Sequence, residues 1–199
     1  MKIIIVGATG TIGKHVVKAL EQGHEIIQVG SKSGEKNVDI TDPKSIKALF
    51  ESIGKFDALV SAAGSGHFGP FASLTDKEFR VGIDSKFMGQ VNLVLVGQHY
   101  INPKGSFTLT SGTMANDPIA YGAAVSAVNG ALDSFVKAAS IELSNGVRIN
   151  AVSPGVVEDS PGYFSYFPGH IPAPMHHVAQ AYVKSVLGAQ TGKVFSVVS

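Results

Sequence analysis

Lys2-Ile3-Ile4-Ile5-Val6-Gly7-Ala8-Thr9-Gly10-Thr11-Ile12-Gly13 decides the fold. Four apolar residues run into glycine, two further glycines follow at three-residue intervals, and an amphipathic helical pattern begins beyond Gly13. A strand feeding a glycine-rich turn that opens a helix is the setting in which such a turn binds a dinucleotide. Gly7 permits the sharp turn, Gly10 lets the backbone approach a pyrophosphate, and Gly13 allows the helix to pack on the strand. Thr9, Thr11 and Ile12 complete the turn, and the helix start offers unpaired amides to phosphate.

Outward from this turn, apolar runs alternate with helical patterns, which implies a parallel sheet covered by helices. Strands are expected near 2–7, 25–30, 56–62, 105–111, 146–153 and 193–198, and helices near 11–22, 43–53, 75–100, 119–144 and 175–187. Asp42-Pro43 is a cap followed by proline at the first helical position. Thr75 with Glu78 makes a capping box. The expected fold class is α/β: a single-domain Rossmann fold over 1–199, a doubly wound parallel sheet with helices on both faces. Residues 154–174 carry four prolines beyond Pro154-Gly155 and four aromatics, Tyr163, Phe164, Tyr166 and Phe167, without periodicity. A structureless segment of this length in a compact domain is usually functional or disordered, and its aromatics favour a lid over a substrate pocket rather than a disordered linker.

Composition narrows the function. Sixteen Lys and Arg against fifteen Asp and Glu give no electrostatic case for nucleic acid or an anionic membrane. With no cysteine there is no disulfide, thiolate nucleophile or cysteine metal site. The run Ile3–Val6 is too short for a signal-peptide core or a membrane span, so cytoplasmic residence is expected. No carboxylate or histidine cluster has metal-ligand spacing, so no metal is expected.

The second strand ends in Val29-Gly30-Ser31-Lys32-Ser33. A dinucleotide lacking the 2′-phosphate usually meets an acidic side chain here. Ser31, Lys32 and Ser33 are all donors and one is cationic, which suits NADP better than NAD.

With these residues placed, the chain resembles the short-chain dehydrogenase/reductase family over roughly 3–198. Asp39-Ile40 is similar to the acidic-aliphatic pair that holds the adenine. Ser61-Ala62-Ala63-Gly64 resembles the family's Asn-Asn-Ala-Gly turn. Leu109-Thr110-Ser111-Gly112 resembles the strand end bearing the catalytic serine. Arg148-Ile149-Asn150-Ala151-Val152-Ser153-Pro154-Gly155 is similar to the sixth strand and nicotinamide-side turn, so Pro154, Gly155 and Val157 are implied beside the cofactor. The resemblance also implies a homodimer or homotetramer formed through the segments 75–100 and 119–144.

Three departures stand out. The glycine spacing differs from the commonest family form, where the middle glycine comes one residue later. The family's active site joins Ser, Tyr, a Lys four residues after Tyr, and an Asn on the preceding long helix. Ser111 and Tyr121 match, but the lysine position is Val125 and the asparagine position, judged from Gly89, is Lys86. A lysine about 5 Å from the tyrosine contributes roughly 3 kcal/mol, about two pH units, toward the phenolate. Val125 contributes nothing of the kind, which harms oxidation more than reduction, because a neutral phenol still donates to a carbonyl. Lys86 on the neighbouring helix is the candidate replacement for the missing cation. Among the histidines, His15 lies beside the glycine turn, His67 follows the Ala-Ala-Gly turn, and His176-His177 opens the last helix. Only His67 is placed as an acid/base candidate.

Two functions follow. One is an NADP-dependent carbonyl reductase with Ser111 and Tyr121 at the substrate oxygen and Lys86 assisting. The other is a dinucleotide-binding protein, a redox sensor or partner subunit, that lacks the chemistry.

Overall fold

Parallel strands buried on both faces read as unbroken apolar runs, and in Ile3–Val6 every side chain is buried. A computed structural model describes all of residues 1–199. Seven strands form one parallel sheet: β1 (Lys2–Val6), β2 (Glu25–Gly30), β3 (Lys36–Asn37), β4 (Phe56–Ser61), β5 (Ile101–Thr110), β6 (Arg148–Pro154) and β7 (Val194–Val197). Their spatial order is β3-β2-β1-β4-β5-β6-β7. The order reverses between β1 and β4, and the crevice outside the strand ends at such a switch point is where α/β sheets bind ligands.

The helices are α1 (Gly13–Leu20), α2 (Pro43–Ile53), α3 (Asp76–Val81), α4 (Met88–Gly97), α5 (Ala123–Glu142) and α6 (Met175–Leu187). One face of the sheet packs through Ile4, Val6, Phe107 and Leu109 on Phe50 of α2, Leu93 of α4 and Leu132 of α5. The other packs through Ile3, Ile5 and Val60 on Val16 of α1 and Tyr182 of α6. Alternate residues of β1 thus serve opposite layers, as a strand period of two requires.

Both cap readings hold. Asp42 accepts from the Lys44 amide at 2.9 Å, and Thr75 and Glu78 make the reciprocal capping box. Three readings need correction. The two-residue strand β3 was not expected, because so short an edge carries no period. Strand β5 starts at Ile101, not 105; Asn102-Pro103-Lys104-Gly105 reads as a turn but is drawn into the strand. The helix expected from 119 starts at Ala123, after a turn in which Tyr121 takes φ +64°. Segment 75–100 is continuous but not uniform: a π-helical turn, Gly82–Phe87, joins α3 to α4.

The glycine turn fixes how α1 meets the sheet. Gly7 has φ +83°, and a side-chain carbon on it would stand 2.6 Å from the Ala62 carbonyl oxygen. A side-chain carbon on Gly13 would stand 2.7 Å from the Gly7 carbonyl carbon. Gly13→Ala is therefore expected to lower the unfolding free energy by about 1–3 kcal/mol through overpacking, measured by urea denaturation of the ligand-free protein.

Candidate functional site

Two adjoining cavities lie along the carboxyl ends of the strands. One, of about 570 Å³, is lined by Gly7, Thr9, Gly10, Ser31, Lys32, Ser33, Asp39, Ile40 and the Ala62–Gly64 turn, among others. It gathers the residues expected at a dinucleotide's phosphate and adenosine end. The amides of Thr9, Thr11, Ile12 and Gly13 donate to no other backbone group of the protein, which is the donor set an anion needs at a helix start. Thr11 itself is exposed and does not line either cavity; it adds an amide rather than a side chain. Thr9 Oγ1 and Ser33 Oγ are 2.8 Å apart and tie the glycine turn to the Ser31–Ser33 turn. Asp39 accepts from the Thr41 hydroxyl and amide, and these bonds hold its carboxyl below the ordinary range.

The second cavity, of about 480 Å³, shares Ala62–Ser65 with the first and continues past Ile12, Pro154, Gly155 and Val157. Its floor is polar. Lys86 Nζ donates to the Ser111 carbonyl at 2.9 Å and to Asn129 Oδ1 at 2.6 Å. An ammonium has no acceptor, so this contact fixes the amide orientation of Asn129. Its Nδ2 is then a buried donor without a partner, and so is the buried Ser111 Oγ. Ser111 is 2% exposed and Asn129 is fully buried, yet both line the cavity.

The π-helical turn places Lys86. An extra residue in a helical turn shifts the face on which the next side chains emerge, and Lys86 lies in this turn, directed at β5 and α5. The loop after β4 lies flat on the turn: Gly64, with φ +124°, leaves only 2.6 Å between a notional side-chain carbon and Lys86 Cα. Gln90, one turn on and fully buried, locks the helix to the strand. Its Nε2 donates to the carbonyls of Lys86 (3.0 Å) and Thr110 (2.9 Å), while its Oε1 accepts from the Thr110 amide at 2.8 Å. Burial pushes the Lys86 ammonium down to about 8, with the Asp133 carboxylate pulling the other way. Neither of its direct acceptors carries a charge.

The walls are apolar. Val125, where the resemblance implies lysine, belongs to a small cluster with Met114, Val156 and Phe167, with Phe68 packed beside it. The 154–174 segment closes the cavity with Ser160, Tyr163 and Phe167. It contains a 3-10 turn, Pro161–Tyr166, and Phe68 meets Tyr163 with ring centroids 5.9 Å apart. Asp159 anchors it to α1 through Lys14 (2.8 Å) and His15 (2.9 Å), and His170 reaches Asp117 at 3.0 Å.

Of the three expected catalytic side chains, the fold brings Lys86 and Ser111 together and leaves Tyr121 out. Tyr121 lines neither cavity and is 52% exposed, because its left-handed turn precedes α5 instead of lying within it. His67 faces Glu78 at 3.7 Å rather than the polar floor, and the His176 and His177 rings lie against each other. Asn129 was missed from the sequence. Its signal is a polar residue within the buried stripe Val125, Val128, Leu132 and Val136 of α5.

A family model described as enoyl-(acyl carrier protein) reductase matches residues 7–168. The chain is 49% identical to the protein lin1944 from Listeria innocua, with 98% of each chain covered and a TM-score of 0.97. A small-chain dehydrogenase solved in complex with NADPH is 29% identical, with 99% of this chain and 96% of that one covered and a TM-score of 0.87. The short-chain dehydrogenase/reductase ATR9 of Stachybotrys chlorohalonatus is 27% identical over 183 residues, 77% of this chain and 72% of the relative. A 3-ketodihydrosphingosine reductase of Bacteroides thetaiotaomicron is 27% identical over 168 residues, 77% of this chain and 62% of the relative.

The Gln90 bridge is testable without any ligand. Gln90→Leu strands the Thr110 amide and frees the Lys86 turn, so it is expected to lower stability by about 2–4 kcal/mol in a urea melt.

Proposed function

The chain belongs to the short-chain dehydrogenase/reductase family of oxidoreductases, and on that premise we propose that it is an NADP-dependent reductase of a carbonyl compound. The observation that carries this reading is the pair of unpartnered buried donors, Ser111 Oγ and Asn129 Nδ2, facing a cavity continuous with the dinucleotide cradle. Buried polar groups in native proteins are almost always paired. Two orphan donors beside an ammonium make a pocket for a carbonyl oxygen.

The residues of the cradle hold the cofactor: the free amides of the glycine turn take the pyrophosphate, and Ser31, Lys32 and Ser33 take the extra phosphate of NADP. Asp39 and Ile40 lie at the adenine end, and Pro154, Gly155 and Val157 at the nicotinamide end. When bound, the nicotinamide supplies hydride. Ser111 and Asn129 orient the substrate carbonyl and share the charge that develops on its oxygen. Lys86 uses two of its three N–H groups on protein acceptors and has one left to give a proton to that oxygen. Phe68, Met114, Val125 and Phe167 exclude water and favour an apolar substrate. Val81, Leu95 and Ile141, all exposed on the helices of 76–97 and 123–142, suit pairing of two copies of the chain.

One observation favours the alternative, a dinucleotide-binding protein without turnover: the family's tyrosine stands in solvent. Two measurements separate the readings. Titration by nicotinamide fluorescence is expected to give tighter binding of NADPH than NADH. Lys32→Ala should weaken NADPH about tenfold and leave NADH unchanged, the loss of one charge-assisted contact. With 4-nitrobenzaldehyde as probe, NADPH oxidation should be abolished in Lys86→Met and kept within about twofold in Tyr121→Phe. The protonated lysine is the active form, so the rate stays level in acid and falls as pH rises through about 8. Loss of activity in Tyr121→Phe with retention in Lys86→Met would reverse the assignment.

A further inference from the structure

Lys86 is a half-buried cation lining the second cavity, and its direct contacts, Ser111 O and Asn129 Oδ1, are both neutral. Isolated charges in such places are neutralised unless a counter-charge lies near. The groups around it supply one candidate. On its own helical turn Asp84 is exposed. The loop after β4 brings His67, which is engaged with Glu78. The segment 110–115 carries no charge. On α5, one turn beyond Asn129 on the same buried face, lies Asp133, 6% exposed, with Oδ1 unpartnered. Lys137, a turn further, is exposed.

We propose that Asp133 is a positioning residue of the active site: its buried carboxylate, one turn along α5 from the Asn129 that accepts from Lys86 and beyond ion-pair contact, keeps Lys86 in the ammonium form. Burial raises the Asp133 carboxyl, and the cations Lys137 and Lys86 only partly oppose that rise.

This inference rests on the reading of Lys86 as proton donor, and the two fail separately. The test is an NMR titration of the intact protein carrying 13Cε-lysine, with the Lys86 signal assigned from its loss in Lys86→Met. In the unmutated protein a main inflection is expected near pH 8, with a smaller one in the acid range where Asp133 titrates. Asp133→Asn, nearly isosteric, should move the main inflection down by about one to two pH units, which at pH 7.5 means about a 3- to 25-fold loss of turnover. Asp133→Glu should restore most of it. NADPH affinity should not change. A Lys86 signal with no acid inflection, or a main inflection unmoved in Asp133→Asn, overturns the role of Asp133. A shifted inflection with 4-nitrobenzaldehyde turnover unaffected leaves that role standing and removes Lys86 as the donor.

Discussion

Helix α1 comes so close to the end of β1 that the Gly7 carbonyl occupies the room a Gly13 side chain would need, and much of the polar architecture follows from that contact. The approach aims the first-turn amides into the cleft at the β1–β4 switch, where α/β sheets bind ligands. It also fixes the position of Lys14 and His15, which hold Asp159 and so set where the 154–174 segment crosses the second cavity. One glycine contact thereby registers the cradle and the lid on the same rigid element.

The polar floor is built on a different logic. A largely buried ammonium loses solvation that two neutral acceptors do not fully replace, so its proton is held more weakly than on a free lysine. Stability alone gives no reason to place a cation there. The protein also spends four hydrogen-bonding groups, the amide of Gln90 and those it meets on Lys86 and Thr110, in keeping the π-helical turn against β5. Groups with strongly altered proton affinity in a cleft are the usual mark of a working site.

How far the sequence discloses this differs by level. The order of elements is legible because continuous apolar runs and capping residues act locally: Ile3–Val6, Asp42-Pro43 and the Thr75–Glu78 box each specify structure within one turn or strand. The cradle is legible because its residues are contiguous, in Gly7–Gly13 and Ser31–Ser33. The catalytic floor is not, since Lys86, Ser111 and Asn129 meet from three elements and their convergence depends on a π-helical turn that no periodicity announces. Tyr121 matched a motif by spacing, but spacing does not carry the left-handed turn that sends it outward. Val125 looks like a lost lysine in the sequence and proves to be packing beneath the lid.

The strap over the second cavity is tied down by side chains that remain partly in solvent: Asp159 on Lys14 and His15, and His170 on Asp117. Contacts of this kind are individually weak, about 0–1 kcal/mol each when exposed. Their strength therefore lies in number and in placement on separate elements. The strap is thus a latch of two kinds: its Lys14–Asp159 ion pair is weakened by dissolved salt, while the aromatic contacts of Phe68 with Tyr163 and Tyr166 beneath it are indifferent to such screening.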